Sequence, residues 1–370
     1  MSKLFTPYTL RGVTLRNRVM LSPMNQYSAV DGFANDWHFG HLAQYAMGGA
    51  GLVCLEATKV ERRGMGTIGD LGLWKDEHVA PIKRIADFIR AQGAVPAIQL
   101  SHAGRKAGIH RPWEGFKPLD RSKPLGEGRG EVWPALAPSP IPFLEGWWPP
   151  TVMTEEDIAT VIESFAQAAR RADEAGIDVI ELHGAHGYLI HQFLSPASNV
   201  RTDRYGGSLD NRMRFALEVV AAVRKVWPAR KALFFRISSV DEGGWTLDDS
   251  VVLAQALKAA GVDAIDCSAA GISVRSVAIL GGRKLLGNQV QYAERVRRDA
   301  DVPTIAVGFI VKPEQAEAIV ATGQADIVAI AREMVWNPSW PSHAARALGA
   351  DPDLATVPES FRPWLAGRGA

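Results

Sequence analysis

The chain has 370 residues, 47% of them hydrophobic, and a formal net charge of +1 from 41 basic and 40 acidic side chains. That length and apolar share suit one large core rather than a disordered chain, and the interspersed charges exclude the basic face that nucleic acid or an anionic membrane surface requires. The two cysteines, Cys54 and Cys267, sit inside apolar runs, which excludes a disulfide scaffold and a cysteine-ligated cluster; a small-molecule partner is expected.

The opening segment MSKLFTPYTLRG has no apolar signal core, and no later run is long and apolar enough to span a bilayer, so a cytoplasmic protein is expected. TLRGVTLRN reads as a hairpin with Gly12 in its turn, and residues 1–18 would plug the bottom of the fold. Three apolar strand runs follow: RVMLSP, GLVCLEA and AVPAIQLS. From Arg105 to Pro150 the chain makes a long excursion rich in Pro, Gly and Trp, of a length usual for a lid. Trp113, Trp133, Trp147 and Trp148 are expected to anchor it by burial. Beyond it, the helical patterns ESFAQAARRADEAG, MRFALEVVAAVRKVW, VVLAQALKAAG and PEQAEAIVATG alternate with the strand runs IDVIELH, ALFFRIS, VDAIDCSA, VPTIAVG and ADIVAIA. Several helices end in Ala-Gly or Thr-Gly, a left-handed stop before the next strand. Eight strand runs without solvent-facing alternation predict a parallel (β/α)8 TIM barrel, one domain over 1–370. The rival, a doubly wound open sheet, would want a GxGxxG turn after its first strand, and none is present.

Barrels of this kind build their chemistry at the carboxyl ends of the strands. Those ends carry Ser22-Pro23-Met24-Asn25 with Tyr27, then Ala57, Gln99, His183 with His186 and Tyr188, Arg236, Gly308, and Ala331-Arg332. The last two loops have the place of a phosphate site, with Arg332 as a charge-assisted clamp. Gln99, both donor and acceptor, suits the polar edge of a flavin pyrimidine; Arg236 could balance the negative charge of the reduced form. His183 and His186 admit two readings. With Glu181 and His191 they could ligand a metal. Alternatively, two imidazole N–H groups could hold one carbonyl oxygen where charge develops, each worth roughly 3 kcal/mol, with Tyr188 as general acid.

HGAHGYLIHQFLSP followed by SNVRTDRYGGSLDNR, together with LFTPYTLRGVTLRNRVMLSPM, GLVCLEAT, AIQLSHAGRKA, RPWEG and AREM, closely resembles the Old Yellow Enzyme family of flavin oxidoreductases, in its subgroup of YqjM-like enzymes and xenobiotic reductases. The resemblance implies noncovalent FMN at the barrel mouth, reduced by NADPH or NADH, and an ene-reductase acting on activated alkenes such as α,β-unsaturated carbonyls, with nitro compounds as further acceptors. It places Pro23, Met24, Asn25, Ala57, Gln99, Arg236, Ala331 and Arg332 against FMN. His183 and His186 would hold the substrate oxygen, Tyr27 would line the pocket, hydride would pass from flavin N5 to the β-carbon, and Tyr188 would protonate the α-carbon. In the tail, 350–370, Trp364 or Arg362 would enter a neighbouring subunit's pocket, implying a homodimer or larger homo-oligomer. Three positions depart from the pattern. Asn25 stands where the subgroup has Cys, so an amide replaces a thiol; Ala331 stands for the usual Gly; and Lys59, Arg62 and Arg63 read as solvated surface charge. A metal-dependent barrel hydrolase and an FMN-binding barrel with little turnover are the alternatives.

Overall fold

The protein is described by a computed structural model covering residues 2–123, 125, 132–273 and 285–367. A hairpin of β1 (Tyr8–Leu10) and β2 (Val13–Leu15) leads into β3 (Val19–Leu21). There follow α1 (Asp36–Met47), β4 (Leu52–Lys59), α2 (Val79–Ala91), β5 (Val95–Ser101), the short pair β6 (Leu136–Ala137) and β7 (Thr151–Val152), α3 (Glu155–Glu174), β8 (Val179–Gly184) and α4 (Leu189–Leu194). The chain continues through α5 (Leu209–Val226), β9 (Ala232–Ser238), α6 (Leu247–Ala259), β10 (Ala264–Ser268), α7 (Val290–Ala300), β11 (Thr304–Ala306), α8 (Pro313–Ala321) and β12 (Ile327–Ile330). It ends with α9 (Arg332–Trp336), α10 (Trp340–Ala347) and α11 (Arg362–Ala366).

Eight parallel strands close in the order β3, β4, β5, β8, β9, β10, β11, β12, with Val328, Ala329 and Ile330 pairing back onto Val19, Met20 and Leu21. The period of two along each strand sorts its side chains. Val53, Leu55, Ile98, Leu100, Ile180, Leu182, Leu233 and Phe235 face the helices, while Leu52, Cys54, Ala97, Val179, Phe234, Ala264 and Ile305 fill the barrel floor with Leu10 and Leu15 of the hairpin. Both faces are therefore buried, which is why the strands read as continuous apolar runs. Toward the carboxyl ends the inward positions turn polar: first Gln99, Glu181, Arg236 and Asp266, then Lys59, Ser101, His183, Ser238 and Ser268, all buried. A bulge in β4 at Glu56, where the register steps from Leu55 to Ala57, keeps Ala57 beside Gln99 at the mouth.

Local chemistry starts and stops the helices as the sequence suggests. Thr154 with Asp157 and Thr246 with Asp249 form capping boxes at α3 and α6, and left-handed Gly176, Gly261 and Gly323 follow α3, α6 and α8. The hairpin turn is Arg11-Gly12, and Arg11 takes the left-handed conformation, at φ 51°. Gly12 is needed for close approach, since a Cβ there would lie 3.0 Å from the Arg230 carbonyl. One expectation is corrected: of the four tryptophans of the excursion only Trp133 is buried, its indole N–H donating to the Met65 carbonyl at 3.1 Å; Trp147 is half-buried. Trp113 and Trp148 are 67% and 56% exposed, edge-on to Tyr27 and under Arg121 respectively. Anchoring comes instead from Arg105, which donates to the Ile141 and Ile272 carbonyls, and from the parallel pairing of β6 with β7. Positions 124 and 126–131 of the excursion and 368–370 of the tail lie outside the described residues. No described helix is long and apolar enough to cross a membrane.

Candidate active site

Two adjoining cavities of about 350 and 490 Å³ open at the carboxyl ends of the strands and share Ser22, His186, Arg236 and Ala331. Pro23, Asn25, Tyr27, Ala57, Gln99, His183 and Tyr188 line the first; Gly308, Phe309 and Arg332 line the second. The fold thus gathers the sequence-selected strand-end residues into one cleft, Met24 excepted, and leaves the tail candidate outside it. Met24 faces a small void beneath, beside His38 and Leu42, and Trp364, on α11, is 84% exposed and borders neither cavity.

Strand β8 runs on through Gly184, so His183 is a strand residue opposite Arg236 on β9. His186 lies in the turn that follows, in the left-handed region at φ 57°, a conformation costing on the order of 1–3 kcal/mol that surrounding bonds must hold. The Ser238 hydroxyl accepts its N–H at 2.9 Å, and the Lys106 ammonium donates to its carbonyl at 2.6 Å and to that of Gly271 at 2.7 Å. His191 Nδ1 accepts the Gly187 N–H at 2.8 Å while its Nε2 faces Asp241 at 3.2 Å. His191 is thereby consumed in shaping the turn. Glu181 accepts from Gln99 deeper in the barrel, and among the described residues no group of three or more His, Cys, Asp or Glu could hold a metal. The metal reading has no geometry behind it.

The His183 and His186 rings lie 5.2 Å apart at 62°, and His183 lies 4.9 Å from the Tyr188 ring. Burial, followed by nearby positive charge, holds both imidazoles well below the usual histidine range, so they are neutral donors. His183 Nδ1 is buried without a partner. His186 Nε2 meets the Ser268 hydroxyl at 2.7 Å, and that hydroxyl donates onward to Gln289 Oε1 at 3.2 Å, which leaves it to accept from His186. The pair is therefore asymmetric, one ring free and one parked.

Tyr188 is buried, which raises its hydroxyl above the usual phenol range. Asn25 Nδ2 donates to its oxygen at 3.2 Å, and the Lys59 ammonium lies 4.6 Å from its ring. Lys59 is fully buried, paired with Asp70 at 3.4 Å and donating to Ser101 Oγ at 2.9 Å. This overturns its reading as surface charge: it is the last inward position of β4, whereas the side chains of Arg62 and Arg63 are 41% and 35% exposed. Tyr27, left-handed at φ 54°, is pinned by Arg111 of the excursion, whose guanidinium donates to its carbonyl at 2.9 Å.

At the cleft's far side, Gln99 gives its amide N–H to Glu181 at 2.7 Å, and Arg236 donates to Ser22 Oγ at 3.1 Å. Arg332 packs its guanidinium 4.1 Å from the Phe309 ring centre. Gly308 sits at φ 106°, and a Cβ there would lie 2.6 Å from Asn288 Oδ1. Ala331, at φ −106°, needs no glycine. Sequence reasoning missed Lys106, Phe116, Thr67 and Asp70 in the first cavity and Ser268 and Gln289 in the second. Ser268 and Lys59 carried a signal: each is a polar residue at the last inward step of an otherwise apolar strand.

A closed parallel barrel with a polar cleft at its carboxyl mouth, flanked by Gln99, Arg236 and Arg332 and roofed by buried neutral imidazoles, is the build of a barrel oxidoreductase that holds a flat, anionic cofactor. The chain belongs to the NADH:flavin oxidoreductase / NADH oxidase family, FMN-type oxidoreductases, whose pattern it matches over residues 3–351. It is 45% identical over 350 residues to an NADPH dehydrogenase of Geobacillus sp. (strain WCH70), covering 94% of each chain. It is 43% identical over 369 residues to an NADPH dehydrogenase of Listeria innocua, covering 98% of this chain and all of that one. Among solved structures, morphinone reductase superposes with a TM-score of 0.74 at 27% identity, covering 96% of this chain and 93% of that one. A 2-naphthoyl-CoA reductase superposes at 0.81 and 26% identity; the match covers 95% of this chain but only 53% of the longer one.

Proposed function

We propose that the protein is an NAD(P)H-dependent ene-reductase that saturates the C=C bond of α,β-unsaturated carbonyl compounds. The observation that carries this reading is the convergence of His183, His186 and Tyr188 on one cavity beside a flavin-suited cleft. The residues present fit FMN. Gln99 keeps its carbonyl oxygen for a ring N–H, Arg236 turns a cation to the same side, and Gly308, Ala331 and Arg332 offer a cationic cradle clear of side-chain bulk. Bound there, FMN would accept hydride from the nicotinamide and return it to the alkene.

The chain's own groups supply the rest. His183 lines the cavity and its ring is held by no strong hydrogen bond, so it can turn a nitrogen to the substrate oxygen, and His186 joins it by releasing Ser268. As neutral N–H donors the two stabilise charge that grows on that oxygen without surrendering a proton. Tyr188 holds its proton firmly because of burial, and the Asn25 N–H directed at its oxygen stabilises the charge left when that proton moves to carbon. Trp364, exposed on a single chain, suits completion of the pocket in a second copy.

Stopped-flow mixing separates the steps. In Tyr188→Phe, reoxidation by cyclohexenone should fall by about 10²–10⁴-fold, while reduction by NADPH stays within about twofold. Equal loss in both halves would remove Tyr188 from the proton-donor role. An unmodified enzyme reduced by NADPH but inert to enones would favour a binding or sensing barrel.

A further inference from the structure

Beneath the cleft, behind Gln99 and Arg236, lie two carboxyl groups that the proposed chemistry does not use. Glu181 of β8 and Asp266 of β10 are fully buried, and Arg236 of β9, between those strands, nearly so. Gln99 Nε2 donates to Glu181 Oε1 at 2.7 Å, and Arg236 Nε lies 3.4 Å from Asp266 Oδ2. The remaining oxygens, Glu181 Oε2 and both of Asp266, have no conventional partner, and the two carboxyl groups are buried in the same inner layer, on the two strands that flank β9 and its Arg236. Cys54 on β4 and Cys267 on β10, both kept protonated by burial, are further titratable neighbours. Orphaned buried carboxylate oxygens are costly, and a single proton held between the two groups would satisfy both.

Resting on the FMN reading above, we propose that Glu181 and Asp266 share one proton and act as a single buried positioning acid for the cofactor's polar edge. Glu181, protonated, gives its O–H to Asp266 and accepts from Gln99, which fixes the Gln99 amide with its carbonyl toward the cleft. Asp266 keeps the one negative charge that balances Arg236. The three groups together are then neutral, and reduced cofactor, which gains negative charge, meets no net anion beneath it. Burial raises both carboxyl groups above the usual range, Glu181 further through the charge of Asp266, in agreement with a retained proton at neutral pH.

The test uses the holoenzyme and reads FMN affinity and the two-electron midpoint potential by equilibrium dye reduction at pH 7. Glu181→Gln reproduces the protonated acid, donating to Asp266 and accepting from Gln99. It should leave both the FMN Kd and the ratio of reduced to oxidised affinity within about twofold of the unmodified protein. Asp266→Asn removes the retained charge and should raise that ratio at least tenfold, about 30 mV. A tenfold rise already in Glu181→Gln would mean that both groups are ionised, and an unchanged ratio in Asp266→Asn would mean that neither charge is felt; either result overturns the proposal. The infrared spectrum of the apoprotein gives a reading independent of FMN: a protonated-carboxyl band at pH 7, lost in Glu181→Gln, is expected, and its absence from the unmodified protein overturns the shared proton. Failure of the unmodified protein to bind FMN would instead overturn the functional reading.

Discussion

Replacing Asp70 by Asn isolates the buried charge beside Tyr188. Among the described residues Lys59 pairs with one carboxylate, Asp70, at 3.4 Å, and neither side chain of the pair is more than 1% exposed. At that distance two unit charges attract by about 5 kcal/mol for an effective dielectric constant of 20. What remains to the ammonium is the Ser101 hydroxyl and the Tyr188 ring, contacts present with or without the Asp70 charge and so absent from the difference. Asp70 also accepts from the Gly66 N–H at 2.8 Å and from Thr67 Oγ at 2.7 Å, bonds that one amide oxygen cannot both keep, adding about 1 kcal/mol. Relaxation around the stranded ammonium reduces the bare Coulomb figure, and the expected loss is about 3–5 kcal/mol, the range for breaking a buried pair. Equilibrium urea unfolding followed by tryptophan fluorescence would read it. Lys59→Met combined with Asp70→Asn removes the stranded cation and should recover all but about 1–2 kcal/mol. A single-variant loss below about 1 kcal/mol, or a double variant no more stable than the single, would refute the reasoning.

Gly308→Ala places a Cβ against Asn288 in a left-handed backbone; it should weaken FMN binding at least about fivefold, for a strain on the order of 1–2 kcal/mol, as measured by fluorescence titration. Asn25→Ala removes the N–H donated to Tyr188 and should slow reoxidation by enone about 2–10-fold without changing reduction by NADPH. His183 and His186 have folded pKa values below their unfolded value, so the stability they confer is complete above about pH 6.5 and is lost as pH falls from there toward the folded values. Melting temperature should accordingly drop on the acid side of pH 6.5, and less steeply in His183→Asn; identical slopes would contradict the assignment.

The barrel was legible because parallel strands buried on both faces must be apolar throughout, and eight such runs close only one way. The cleft was legible because its polar residues sit where those runs stop. The inner layer was missed because one acidic residue inside IELH or AIDCS reads as a strand irregularity until period-two alternation shows it facing inward: Asp266 escaped notice, and Glu181 was weighed only as a metal ligand. Lys59 misled for the opposite reason: next to Arg62 and Arg63 it resembled a surface run, while the Glu56 bulge turned it into the mouth. The aromatic excursion could not be derived, since Trp113 and Trp148 stay on the rim and its anchors are Arg105 and Arg111, whose carbonyl partners are set by tertiary approach. The parking of His186 on Ser268 likewise joins the turn after β8 to the end of β10, across 82 residues.

The most direct test of the central claim, a flavin cleft roofed by two imidazoles that grip one oxygen, is the absorbance spectrum of the FMN-loaded protein titrated with a phenol. A phenolate held by His183 and His186 over the cofactor is expected to give a saturable long-wavelength charge-transfer band, abolished in His183→Ala and weakened in His186→Ala. FMN that binds without such a band, or a band indifferent to both substitutions, would contradict the account.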